Sequence, residues 1–203
     1  MNRGDPKPET PPSPPDRIEA DLDDFDEMEV IGSGGNADVT KVSYRGEGPD
    51  VVALKQPRMQ GTMDTDSMSR FMEEAETWDK IDDHEHIVGV LNWDSEPLPW
   101  IALEYMDGGS LEDRLGEMSV AEALWVGVCI CRAVRHAHRR GIAHLDLKPE
   151  NVLFQKTEGN DWNYPKVADW GLSKMLLEHS KSIEGLSPQY AAPEQFDAET
   201  YGK

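Results

Sequence analysis

Hydrophobic and polar positions follow three different rhythms along the chain, and each predicts a different kind of structure. Residues 1–24 show no rhythm at all. Six prolines fall in the first fifteen positions, followed by the acidic run Asp21-Leu22-Asp23-Asp24. Such a segment lacks the apolar area to offset its ordering entropy, so a flexible, polyproline-like leader is expected. The stretch Pro11-Pro12-Ser13-Pro14 could serve as an SH3-type ligand, but reads better as linker. From Phe25 the pattern becomes strand-like. Met28-Glu29-Val30-Ile31 runs into a glycine-rich loop, Val39 to Tyr44 is rich in β-branched residues, and Val51 to Lys55 forms another short apolar run after the turn chemistry of Gly46 to Asp50. The rhythm then changes to 3.6. Met68, Phe71, Ala75, Trp78 and Ile81 mark a helix from Ser67 to Ile81 with one buried stripe. Two apolar segments follow, Ile87–Trp93 and Trp100–Tyr105. The longest helical pattern runs from Val120 to Arg140 and stops at Gly141. The chain therefore reads as a strand-rich front with one helix and a helical rear, without internal repeats.

Composition narrows the class of function. The 203 residues carry 40 acidic against 20 basic side chains, a formal net charge of −20, and 37% are hydrophobic. A core is affordable, while the acidity excludes a nucleic-acid binder working through a broad basic face. No apolar run reaches membrane-span length, and no signal stretch opens the chain. Cys129 and Cys131 stand too close together for an easy bridge, which points to a reducing, cytoplasmic setting. The acid excess is similar to that of halophile proteins, in which concentrated salt screens self-repulsion.

The loop Gly32-Ser33-Gly34-Gly35-Asn36-Ala37 carries the first chemistry. A dinucleotide-binding loop would lead straight into a helix, and a Walker A loop would end in Gly-Lys-Ser/Thr. Here a strand follows, so a flexible flap over phosphates fits, with a plain glycine hairpin as the bland alternative. Further motifs decide between them. Val52-Ala53-Leu54-Lys55, His144-Leu145-Asp146-Leu147-Lys148-Pro149-Glu150-Asn151, Asp169-Trp170-Gly171 and Ala192-Pro193-Glu194 follow in this order. With them the chain resembles the eukaryotic-type Ser/Thr protein kinase family over residues 25–203.

That resemblance implies an α+β, two-lobed fold: a small antiparallel sheet lobe at about 25–105 and an incomplete helical lobe at about 106–203. It implies ATP and Mg²⁺ as cofactors and a protein serine or threonine as substrate. Phosphoryl transfer needs positioning and charge neutralisation more than covalent chemistry. Lys55 would hold the α- and β-phosphates, fixed by Glu74; Glu73, one position away, would point elsewhere. Asp146 would accept the substrate hydroxyl's proton, and Lys148 would neutralise the γ-phosphate. Asn151 and Asp169 supply the hard oxygens that suit Mg²⁺. Ile31, Gly32, Ser33, Gly34 and Gly35 would cover the nucleotide. Val39, Ala53 and Leu153 would sandwich adenine, and the hinge Leu103-Glu104-Tyr105-Met106 would bond it, so Glu104 and Met106 count as nucleotide-binding. Trp78, Val90, His144 and Trp170 match an apolar column of the family. Ser187, before Ala192-Pro193-Glu194, matches the residue that contacts the catalytic aspartate in the Ser/Thr branch.

Several positions depart from the family pattern. Ala37 replaces the third loop glycine. Leu145 replaces the catalytic-loop arginine that pairs with a phosphorylated activation segment, so phosphate on Ser180 or Ser182 would lack its usual cation. Trp170 replaces the phenylalanine of the metal motif. The chain ends nine residues past Glu194, where the family continues, so a fragment or a partner-dependent chain is expected. The alternative function is a nucleotide-binding interaction module without turnover. His84, His86, His136 and His138 are read as structural rather than metal-binding. The basic stretch Arg132, Arg135, Arg139 and Arg140 is expected to pair with acidic neighbours in preference to docking an acidic peptide.

Overall fold

The computed structural model describes residues 8, 11–12, 15–33, 37–58, 65–159, 162–170, 174–175 and 187–196. The chain divides into two compact units. One comprises Ser13–Asp83 with Val88–Met106; the other comprises Met1–Pro12, His84–Ile87 and Asp107–Lys203.

The first unit is built on five antiparallel strands: β1 (Phe25–Ser33), β2 (Ala37–Tyr44), β3 (Val51–Pro57), β4 (Val90–Asp94) and β5 (Trp100–Glu104). Their order is β1-β2-β3-β5-β4. Alternation along the strands decides what each face does. Register pairs Val39 with Lys55, Ala53 with Leu103 and Lys55 with Ile101, so these residues share one face. The opposite face presents Val42, Tyr44, Val52, Leu54, Trp100 and Ala102, all buried with Leu91 in one cluster. Helix α1 (Thr65–Asp79) turns Phe71, Ala75 and Trp78 inward, at the 3.6 spacing read from the sequence.

The apolar face of the sheet is covered by residues read from the sequence as leader, and this expectation is corrected for residues 15–24. Ile18 is 5% exposed and joins the cluster, with Ala20, Leu22 and Phe25 packed against it. The Ile18 N–H donates to the Leu91 carbonyl at 3.1 Å, and the Tyr44 hydroxyl donates to the Glu19 carbonyl at 2.7 Å. Arg17 reaches Asp79 at 2.5 Å and Asp82 at 3.0 Å. The physical reason is the face itself. A row of Val, Leu and Trp on an antiparallel sheet has to be shielded, and a few well-spaced apolar residues among prolines and acids suffice.

The second unit is organised on α2 (Val120–Arg139), where the Ser119 hydroxyl caps the Glu122 N–H at 3.2 Å and Val126, Cys129, Ala133 and Ala137 are buried. It also contains the strand pair β6 (Ile142–Ala143) with β9 (Lys174–Met175), and the hairpin β7 (Val152–Gln155) with β8 (Tyr164–Val167). Close approach explains Gly108: its N–H donates to the Phe154 carbonyl at 2.8 Å, and a Cβ there would lie 2.7 Å from that oxygen.

Candidate functional site

In the sheet unit, strand and helix periodicity together place the charged pair. Lys55 lies on β3 and Glu74 on the inner side of α1; the Lys55 ammonium bonds Glu74 Oε1, and both side chains are 9% exposed. Glu73 is exposed. The Lys55 ammonium also lies 5.9 Å from the centre of the Trp78 ring, one helical turn beyond Glu74. Trp78 in turn donates its indole N–H to the Val88 carbonyl at 2.8 Å. Ala53 and Val39 flank Lys55 on the same face. Glu104 is buried and its Oε2 accepts the Gly89 N–H at 3.1 Å, while Met106 is 9% exposed.

At the mouth of the glycine-rich loop, Ile31 is exposed, and Gly32 and Ser33 pair with Val39 and Asp38. Gly34 and Gly35 lie outside the described residues, as do Ser180 and Ser182. A cluster missed in the sequence closes this mouth. The Ser33 hydroxyl donates to Asp38 Oδ1 at 2.8 Å, and Arg58 bonds Ser33 and reaches Asp38 at 2.6 Å. The Arg58 guanidinium and then the Ser33 hydroxyl hold the Asp38 carboxyl below its usual range. Only the strand register, which sets Asp38 opposite Gln56, brings Arg58 within reach.

In the helical unit the site is a loop rather than a lattice. His144 is buried, accepts the Asp146 N–H at Nδ1 (3.3 Å) and so donates from Nε2 to the Ala168 carbonyl (3.0 Å). Burial pushes its pKa down, which agrees with this neutral tautomer. Leu145 takes the left-handed backbone (φ 64°), and its carbonyl accepts from the Gln195 side chain at 2.7 Å, a further contact the sequence did not reveal. Asp146 is 8% exposed and every part of it is engaged. Its Oδ1 accepts the Ser187 N–H at 3.1 Å, and its Oδ2 lies 3.0 Å from the Lys148 ammonium. Asn151 Nδ2 donates to the Asp146 carbonyl at 2.9 Å. Lys148 also donates to the Ser187 hydroxyl at 3.0 Å. Burial alone would lower the Lys148 pKa, but the Asp146 hydrogen bond and charge outweigh it and raise the pKa. The Ala168 N–H binds the Asn151 carbonyl at 2.8 Å, and Asp169 follows in left-handed backbone (φ 59°). Leu153 lies on β7, paired with Lys166. The His144 and Trp170 rings sit 4.5 Å apart.

Among known proteins, the protein kinase domain family matches residues 25–203. This chain belongs to the protein kinase domain family. It is 36% identical over 176 residues to serine/threonine-protein kinase Pkn1 of Myxococcus xanthus, covering 81% of this chain and 24% of that protein. It is 32% identical over 174 residues to serine/threonine-protein kinase PknJ of Mycobacterium tuberculosis, covering 81% and 28%. It is 37% identical over 138 residues to a probable myosin light chain kinase of Dictyostelium discoideum, covering 65% and 43%. The chain thus spans about a quarter of the two bacterial relatives' lengths. The five-stranded sheet unit and the helix-based unit make up the mixed α+β architecture of this kinase family. Among the described residues, no helix is long and apolar enough to cross a membrane.

Proposed function

We propose that this chain transfers the γ-phosphoryl group of ATP to a serine or threonine hydroxyl of a protein. The observation that carries this reading is the network around Asp146, in which Lys148 and Ser187 converge on one buried carboxylate and Asn151 holds the Asp146 backbone carbonyl. The carboxylate is oriented before any substrate arrives, as positioning chemistry demands. The substrate oxygen bonds to the γ-phosphorus while the bond from that phosphorus to the β–γ bridging oxygen breaks. ADP leaves, and the hydroxyl proton passes toward Asp146. Lys148 balances charge on the transferred group, and Lys55, steadied by Glu74, holds the other phosphates. The adenine contacts are assigned to Val39, Ala53, Leu153, Glu104 and Met106, and the phosphate cover to Ile31 through Gly35.

Magnesium fits the residues present. Asn151 commits its Nδ2 to Asp146, which leaves Oδ1 as the amide atom for a metal, and Asp169 adds a carboxylate. No group of three or more His, Cys, Asp or Glu able to hold a metal occurs among the described residues. An ion shared with phosphate oxygens, as Mg²⁺ prefers, therefore suits the site better than an all-protein cage. When bound, Mg²⁺ neutralises charge on the phosphates.

The acid excess and unbridged cysteines fit a reducing, salt-rich cytoplasm, and a melting temperature that rises steadily with KCl would bear that out. The functional test is transfer of γ-labelled phosphate from Mg-ATP to protein substrates, followed by phosphoamino-acid analysis. Label on serine or threonine is expected. Label on tyrosine alone, or nucleotide binding without any transfer, would replace this reading, the latter with a non-catalytic nucleotide-binding module.

A further inference from the structure

The last two turns of α2 concentrate positive charge in a chain that is otherwise strongly acidic. Arg132, Arg135, His136 and Arg139 recur at i, i+3, i+4 and i+7, which sets them on one stripe of the helix. With Arg140 and His84 they line a cavity of about 420 Å³ within the helical unit. His84 comes from the segment preceding β4, and its ring lies 4.6 Å from that of His136. Arg140 Nη1 sits 3.1 Å from His136 Nδ1, which ties the lower wall together. The expected pairing with acidic neighbours is met at Arg132, 3.9 Å from Glu85 at the rim. It is not met at Arg135 or Arg139, which are exposed and make no ion pair among the described residues. The carbonyl end of a helix attracts cations in its last turn, which accounts for Arg139 and Arg140. It does not reach Arg132, two turns back. Like charges four residues apart oppose the helix, so the stripe works against local stability unless an anion occupies it.

We propose that this cavity is a phosphate-binding site separate from the nucleotide and catalytic residues. Its ligand is a phosphomonoester dianion, held by the planar forks of Arg135 and Arg139, with Arg132 and the His84–His136 pair at the edge. Guanidinium is the right donor here, because its paired N–H groups match two phosphate oxygens at once. The cavity holds more than one phosphate, so the group arrives on a larger carrier: a phosphorylated side chain of a polypeptide, or a small soluble phosphate ester. The inference stands whether or not the chain transfers phosphate.

Isothermal titration of the full chain tests it, with Mg²⁺ and a nonhydrolysable ATP analogue present to fill the nucleotide site. The probes are a phosphoserine peptide with neutral flanks, its unphosphorylated twin and glycerol 2-phosphate. The phosphorylated probes are expected to bind and the unphosphorylated peptide not. Binding should weaken at least tenfold in the double variant Arg135→Gln/Arg139→Gln. The Arg135→Lys/Arg139→Lys variant, which keeps charge but loses the forks, should fall between. Circular dichroism and melting temperature confirm that these exposed substitutions leave the fold intact. Tighter binding of the peptide identifies a phosphoprotein as the carrier, and equal binding identifies a soluble ester. Absence of binding by both phosphorylated probes, or equal affinity in the Gln variant, overturns the site.

Discussion

In the sheet unit, Lys55 and Glu74 meet because a strand and a helix are regular; in the helical unit, Asp146, Lys148 and Asn151 meet because an irregular loop is tied to itself. The first arrangement depends on one short-range pair of opposite charges between two packed elements. The second spreads its dependence over hydrogen bonds donated by Ser187, Asn151 and Gln195 and one accepted by His144, with Leu145 and Asp169 in left-handed backbone. A site on regular elements inherits its geometry from the core beneath it. A loop site has to carry its own supports.

The comparison breaks most sharply at Glu74. Replacing Glu74→Gln removes the carboxylate charge facing a buried ammonium, and loss of one partner of such a pair costs about 3 kcal/mol. Denaturant unfolding should show that loss, with weaker nucleotide binding alongside. Unchanged stability would mean the pair is not the tie between β3 and α1. Next comes Ile18→Ala, which opens the covered face of the sheet and should cost about 2–3 kcal/mol, as other buried Ile-to-Ala changes do. A cost near zero would return residues 15–24 to the status of a free leader.

The pH dependence separates the units differently, since the two buried histidines with depressed pKa among the described residues, His86 and His144, belong to the helical unit. Burial is the main cause in each. The unfolded chain therefore binds their protons first as pH falls below about 6.5, so their stabilisation is full above that pH and is lost on acidification. Asp82, raised mainly by burial, works in the opposite sense, and comparing the variant with the wild type leaves its contribution common to both curves. The melting temperature of a His86→Gln variant should accordingly fall less steeply than the wild type's between pH 7.5 and 5.5. Parallel curves would contradict the assignment. The smallest effect is expected at Trp170, whose buried indole N–H has no hydrogen-bond partner among the described residues. Trp170→Phe removes that orphan donor and should stabilise by about 1 kcal/mol, offset in part by lost ring area. Destabilisation beyond 1 kcal/mol would show that the larger ring is needed for packing against His144.

How much of this was legible in the sequence follows the same division. Alternation in Val39–Tyr44 and Val51–Lys55, and the 3.6 spacing of Phe71, Ala75 and Trp78, revealed the strands and α1 because burial on one face imposes those periods. The same patterns could not show what lies over the opposite face. Ile18 and Leu22 sit among prolines and acids without any period, and the cluster they pack on is drawn from β2, β3, β4 and β5, at least twenty residues away. The loop around Asp146 has no hydrophobic rhythm, and only the order of its motifs made it readable. One support stayed hidden, since Gln195 bonds Leu145 across 50 residues, whereas Ser187, which bonds Asp146 across 41, was readable from its place before Ala192-Pro193-Glu194. The Arg58–Asp38 contact was hidden for a similar reason, because strand register is fixed only when both strands are in place. The basic stripe on α2 was visible as residues, but its lack of acidic partners at Arg135 and Arg139 among the described residues depended on the surrounding fold.

In the proposed function, transfer chemistry resides on the Asp146 loop and nucleotide retention depends on Lys55. The most direct test measures phosphoryl transfer and nucleotide-dependent melting shift together in Asp146→Asn. Loss of a base in such a reaction costs about 10²–10⁴ in rate. A loss of at least that size is expected, with the melting shift on adding Mg-ATP retained. Transfer at the wild-type rate in Asp146→Asn would contradict the proposed function.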